Sequence, residues 1–134
     1  LRTVTSPVVL TGLDVGDSAE SWMRAGFCVE PACSVGSVVI RLRGDGDNVT
    51  GWSLSGLWSG SAPSDVDGVP TTWGPVAAPL GTAHPNGVTA IDHVVVMSPH
   101  LDRTVQALSD IGVDPRRERD ADIGGRAIRQ IFFR

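Results

Sequence analysis

The chain contains no run of roughly 18 consecutive apolar residues, which argues against a helix crossing a membrane. Its first ten residues, LRTVTSPVVL, carry one arginine and a short apolar run, with no longer apolar core and small-residue cleavage site behind them. No secretory signal is read there, and a cytoplasmic location is expected. Cysteine is scarce. Cys28 and Cys33 stand five positions apart, without a neighbouring histidine or a second cysteine pair, which argues against a zinc site. A reduced structural pair fits a cytoplasmic protein, and a local disulfide is the alternative. Positive charge is not in excess: the formal net charge is -4, so the broad basic face that phosphate backbones need is not expected. Arg116, Arg117 and Arg119 form a local cationic cluster, largely offset by Asp120 and Asp122. The motifs of several common chemistries are missing too: no Ser-His-Asp order, P-loop, GxGxxG or HExxH is present. Asn48-Val49-Thr50 matches a glycosylation sequon, which without a secretory signal is read as a chance match.

What is present is a globular composition. Hydrophobic residues make up 41% and charged residues 19% of 134, enough for one ordinary domain or two small modules sharing a core. Pro7 to Thr11 reads as a β-branched strand. Asp17-Ser18 supplies capping chemistry for a helix reaching Ala25, with Ala19, Trp22 and Met23 on one face and Gly26 at its C-terminal end. Ser37 to Arg43 alternates as a strand, Gly44 to Asn48 is a turn cluster, and Trp52 to Trp58 reads as a returning strand. From Ser59 to Gly87 the period dissolves, and more than half of the nine prolines fall there. This stretch is read as a connector lying on the surface, anchored by Trp73.

A second unit begins at Val88. Ala90 to Met97 reads as a strand with Ile91, His93, Val95 and Met97 on one face. Leu101, Val105, Leu108 and Ile111, with Thr104 alongside, mark a helix that Gly112 closes. Pro115 to Arg119 and Arg126 to Arg134 read as strands around the turn DADIGG. On the last strand one of Phe132 and Phe133 should enter the core. Arg103 and Asp102 are expected on a solvated helix face. A shift of 86 positions lays the first unit on the second: Val8-Val9-Leu10 on Val94-Val95-Val96, Ala19 and Trp22 on Val105 and Leu108, and Gly26 on Gly112. Two such units, residues 1–58 and 88–134 joined by 59–87, would pair their sheets and bury apolar area that neither buries alone.

The residues Ile91-Asp92-His93-Val94-Val95-Val96, followed by Leu101-Asp102-Arg103-Thr104 and Leu108 to Gly112, give the chain a resemblance to the vicinal oxygen chelate superfamily. That group includes glyoxalase I, bleomycin-resistance proteins and extradiol dioxygenases. His84-Pro85-Asn86-Gly87-Val88 looks like the linker of actinobacterial glyoxalase-like proteins. The resemblance implies an α+β fold of two paired βαβββ modules, which form a curved mixed sheet around a cleft. The first module is degenerate, and the second lacks its last strand within this sequence, so that strand is expected beyond Arg134. Family members that bind metal commonly place a histidine on the first strand of a module, facing the cleft, and His93 matches that position. The matching residue of the first unit is Pro7, which cannot ligate, and a one-module site would need a glutamate on the strand that is lacking.

Two functions stay open on this reading. A metal-dependent lyase, isomerase or ring-cleaving dioxygenase would act on a small oxygenated molecule in the cleft. It would use one divalent metal (Fe, Zn, Ni or Mn) with His93 as a ligand. A metal-free protein of the bleomycin-resistance type would instead bind and sequester a drug or metabolite. For either, His93, Gln130 and Trp52 are the candidate ligand-binding residues, with Trp58 as a further wall. Half-buried His93 bonded to a backbone carbonyl is the bland alternative. The partners expected are a small-molecule ligand and a second copy of the chain, with neither nucleic acid nor membrane.

Overall fold

The computed structural model describes residues 7–56, 62–75 and 82–133. The elements run β1 (Val9–Val15), α1 (Ala19–Arg24), β2 (Cys33–Val35), β3 (Val38–Leu42), β4 (Val49–Ser55), β5 (Asp65–Val66), β6 (Val69–Trp73), α2 (Leu101–Asp110), β7 (Pro115–Ile123) and β8 (Arg126–Phe133). Six strands form one mixed sheet in the order β2-β3-β1-β4-β6-β5, and β7 and β8 form a separate two-stranded sheet. The fold is therefore α+β. Central β1 pairs in parallel with β3 and antiparallel with β4.

Alternation sorts the two faces of the large sheet. Leu13, Val15, Val35, Val38 and Ile40 point to one face, where they pack with Trp22 of α1 and with Phe27. Leu54 and Val66 pack with Leu108 and Ile111 of α2 and its exit, flanked by Trp52, Trp73 and Phe133. Leu54 follows Trp52 by two residues on β4, so both helices cover the same side of the sheet.

Both helices end as the sequence predicts. Ser18 caps α1, its hydroxyl accepting from the Ser21 N–H at 3.2 Å. At the other end Gly26 N–H donates to the Met23 carbonyl and Phe27 N–H to that of Trp22. In α2 the same two bonds recur 86 residues later, from Gly112 to Ser109 and from Val113 to Leu108. Gly26 and Gly112 have φ of 91° and 89°, the left-handed conformation that this helix ending demands. The side chains depart from expectation in α1: Trp22 packs, but Ala19 and Met23 face solvent. Six residues give so short a helix only one position over the sheet.

Other expectations change. The returning strand is Val49–Ser55 rather than 52–58, of which residues 57 and 58 lie outside the described residues. The first strand is Val9–Val15 rather than 7–11. The stretch read as a connector carries the β5–β6 hairpin, which extends the sheet beyond β4. Its two-residue turn is Asp67-Gly68, both at positive φ, and an Asp-Gly pair suits such a turn. Trp73 does anchor here, donating from Nε1 to the Pro63 carbonyl at 2.8 Å. Finally, residues 90–97 are not in a ladder; the helix that follows them forms as read, and the hairpin forms with its first strand running on to Ile123, so that the turn is Gly124-Gly125 rather than DADIGG. Phe133 enters the core and Phe132 lies beneath the guanidinium of Arg117, 4.5 Å from its ring centre.

α2 sits on the large sheet through more than apolar contact. Asp67 in the β5–β6 turn accepts from Arg103 Nε at 2.6 Å and from the Thr104 hydroxyl. Arg103 is exposed, as expected of a solvated helix face, and its guanidinium bonds the β5–β6 turn in the stretch read as a connector.

Candidate functional site

The side of the large sheet opposite the helices carries charge. Asp14 on β1 lies beside Arg41 on β3 and Gly51 on β4, and Ser53 on β4 lies across from Gly12. Val39 and Arg41 alternate outward along β3, and Arg43 continues that row just past the strand end. Asp14 Oδ1 accepts from Arg41 Nε at 2.7 Å and from Arg43 Nη2 at 2.7 Å. Arg41 Nη2 reaches on to Ser53 Oγ at 2.5 Å. A Cβ on Gly12 would stand 2.7 Å from Arg41 Nη1, so the absence of a side chain there lets the guanidinium lie flat on the strand.

One carboxylate thus orients two guanidiniums and leaves the group one positive charge in excess. The Arg41 hydrogen bond, foremost, holds the Asp14 carboxyl below its ordinary value; partial burial opposes this, and Arg43 adds to the lowering. Asp14 is 18% exposed, Arg41 31% and Arg43 51%, so the cationic edge faces water while its counter-ion lies underneath. Nη1 of each arginine makes no hydrogen bond among the described residues. Oriented guanidinium N–H groups with spare donors are suited to the paired oxygens of a carboxylate.

The residues singled out from sequence lie elsewhere. His93 is largely exposed, and its Nδ1 is 2.6 Å from Asp92 Oδ2, with that carboxylate itself open to water. It borders an apolar trough of about 380 Å³ on the helix side of the sheet, with walls from Leu13, Trp22, Phe27, Ile40 and Ile91. Trp52 is half-buried on the helix side, donating from Nε1 to Thr71 Oγ1 at 2.8 Å, and does not line the trough. Gln130 is on β8, where its Oε1 accepts from Arg119 Nε at 2.9 Å and Nη2 at 2.7 Å. The three do not converge on one pocket. Trp58 lies outside the described residues. Pro7, taken as the counterpart of His93, precedes β1.

No group of three or more His, Cys, Asp or Glu side chains able to hold a metal ion occurs among the described residues. His84 is engaged structurally. It is buried, Nδ1 accepting from the Cys28 N–H at 3.0 Å and Nε2 standing 2.6 Å from the Ser34 carbonyl. These partners define the neutral tautomer with its proton on Nε2. Cys28 and Cys33 are both free; burial, then the nearby Cys28, pushes the Cys33 thiol up and away from the reactive thiolate. Among the described residues, no helix is long and apolar enough to cross a membrane.

No family model, curated protein or solved structure matches the chain. The polar face was missed in the sequence, although its signal is there: a strand that reads Val39, Arg41, Arg43 on one side puts two cations on a sheet surface.

Proposed function

We propose that this chain is a metal-free small-molecule binding protein of the glyoxalase-like, bleomycin-resistance kind, and that it holds an anionic, oxygen-bearing ligand on the open face of its large sheet. The observation that carries the reading is the Asp14–Arg41–Arg43–Ser53 group, two arginines aligned by one carboxylate with unused donors at the exposed edge. The paired-module architecture is supported by the matching helix ends 86 residues apart. A metal-dependent lyase, isomerase or dioxygenase would need more donors around His93 than Asp92, its one hydrogen-bonding partner among the described residues.

Calorimetric titration with benzoate and lactate, beside their uncharged amides, tests the reading. The carboxylates should bind and the amides should not. Arg43→Gln, at the exposed edge, should weaken carboxylate binding by about tenfold, the worth of one charge-assisted hydrogen bond. Equal binding of acids and amides, or an unchanged affinity in Arg43→Gln, would remove the sheet face as the site.

A further inference from the structure

The β7–β8 hairpin sorts its charges by face. Residues directly opposite in an antiparallel ladder share a face, so Arg117 lies with Phe132 and Arg119 with Gln130. Ala121 with Ile128 and Ile123 with Arg126 continue that face towards the turn, and it carries no carboxylate. Glu118, Asp120 and Asp122 alternate onto the other face. There Arg129 bonds Glu118 at 2.7 Å and reaches Asp102 of α2 at 3.5 Å. The carboxylate-free face is therefore turned away from α2. It is a face and not an edge: a strand added beside β7 or β8 would widen it without covering it.

Two guanidiniums on this face are held by neutral partners. Arg119 donates from Nε at 2.9 Å and from Nη2 at 2.7 Å to Gln130 Oε1. Arg117 lies over the Phe132 ring, 4.5 Å from its centre, and Arg119 flanks the same ring at 5.7 Å. Arg24, Arg41, Arg43, Arg103 and Arg129, by contrast, each meet a carboxylate. Arg117 and Arg119 meet none among the described residues. Two like charges thus stand roughly 7 Å apart along one strand, ordered by an amide and a ring that cancel neither of them.

The donors left over define what fits. Arg119 Nη1 and the N–H groups of Arg117 have no acceptor among the described residues. Gln130 spends its oxygen on Arg119, which leaves its Nε2 hydrogens free as well. A carboxylate brings one negative charge and two oxygens to such a set. A phosphate monoester brings about -1.5 to -2 at pH 7 and three acceptor oxygens, and guanidiniums match it in geometry.

We infer that the Arg117–Arg119–Gln130 face of the hairpin binds the terminal phosphate of a small phosphorylated molecule, as a second anion site separate from the Asp14–Arg41–Arg43 group. The two differ in charge balance. On the large sheet a carboxylate beneath two arginines leaves one positive charge; on the hairpin both remain. A nucleic-acid backbone is the poorer match, since each phosphodiester carries a single charge and the chain's net charge is -4.

Nuclear magnetic resonance titration at about pH 7.5, where a phosphate monoester is close to doubly charged, tests this with phenyl phosphate beside benzoate. The arginine Nε–H resonances report the site directly. Phenyl phosphate should shift those of Arg117 and Arg119 and bind there about tenfold or more tighter than benzoate. Gln130→Glu keeps an acceptor of the same shape beside Arg119 while cancelling one charge. It should weaken phenyl phosphate by about tenfold or more, as should Arg119→Gln, with the amide spectrum of the large sheet unchanged. Arg43→Gln, in the other site, should leave this affinity as it is. Equal affinity for the two anions, an affinity unmoved by Gln130→Glu, or a response at Arg43 in place of Arg119 overturns the inference. A thymidine oligonucleotide that moves the same resonances at lower concentration than phenyl phosphate makes the face a nucleic-acid surface and overturns it equally.

Discussion

Asp14 accepts from two arginines at once, and this makes it a stabilising group as well as a positioning one. Its folded carboxyl releases its proton more readily than the unfolded one, whose ordinary value is 3.8. The stabilisation is therefore complete above that value and is lost as pH falls through the lower, folded one. Asp14→Asn should cost about 1–2 kcal/mol at pH 7, in the range of hydrogen bonds to charged groups. The gap between the two proteins in urea unfolding should hold from neutral pH down to about 5 and close in acid below the ordinary aspartate value. A gap that persists undiminished into acid would assign the cost to packing instead. These pairings are hard to read from a sequence because they are distant in it. Asp14 and Arg41 lie 27 residues apart, and His84 reaches partners 50 and 56 residues away. Alternation gives the face on which a strand residue sits, but not which residue of another strand lies beside it.

At the level of elements, α2 is the joint between the two halves. Leu108, 9% exposed, and Ile111, 2%, are its apolar grip on Leu54 and Val66. Leu108→Ala should cost about 3 kcal/mol, the usual loss for a buried leucine that leaves a cavity. Met23→Ala on exposed α1 should stay within about 0.5 kcal/mol. Urea midpoints with unchanged slopes measure both, and equal losses would mean that α2 is not docked as described. Helix ends were legible because capping is local: Asp17-Ser18, Gly26 and Gly112 act within a few residues of themselves. The β5–β6 hairpin was equally local in its turn, Val66-Asp67-Gly68-Val69, but β5 is only two residues long. With Pro70 inside β6, the composition reads as a loop. The run Ala90 to Met97 misled in the opposite direction. Its composition is that of a strand, and composition cannot state whether a partner is within reach.

Across the whole molecule, stability is unevenly shared. The large sheet has its helices and both apolar clusters on one face and ladders along β1, β3, β4 and β6. Among the described residues the β7–β8 hairpin pairs with no other strand, and its residues from Arg116 to Asp120 are all exposed. Its hold on the rest includes Phe133 in the second cluster and an Arg129–Asp102 ion pair at 3.5 Å that stands in water. Exposed pairs of that kind contribute about 0–1 kcal/mol, and a two-stranded hairpin is marginal on its own. The internal pairs of the hairpin, Arg129 on Glu118 and Arg119 on Gln130, order its side chains without fastening it to the sheet. Native-state hydrogen exchange should therefore find two levels of opening. Amides in the ladders of β1, β3 and β4 should exchange only by global unfolding, and those of β7 and β8 through a smaller opening that leaves the large sheet intact. Phe133→Ala should lower the hairpin's opening free energy more than that of the large sheet. A single exchange level for all five strands would instead make hairpin and sheet one cooperative unit.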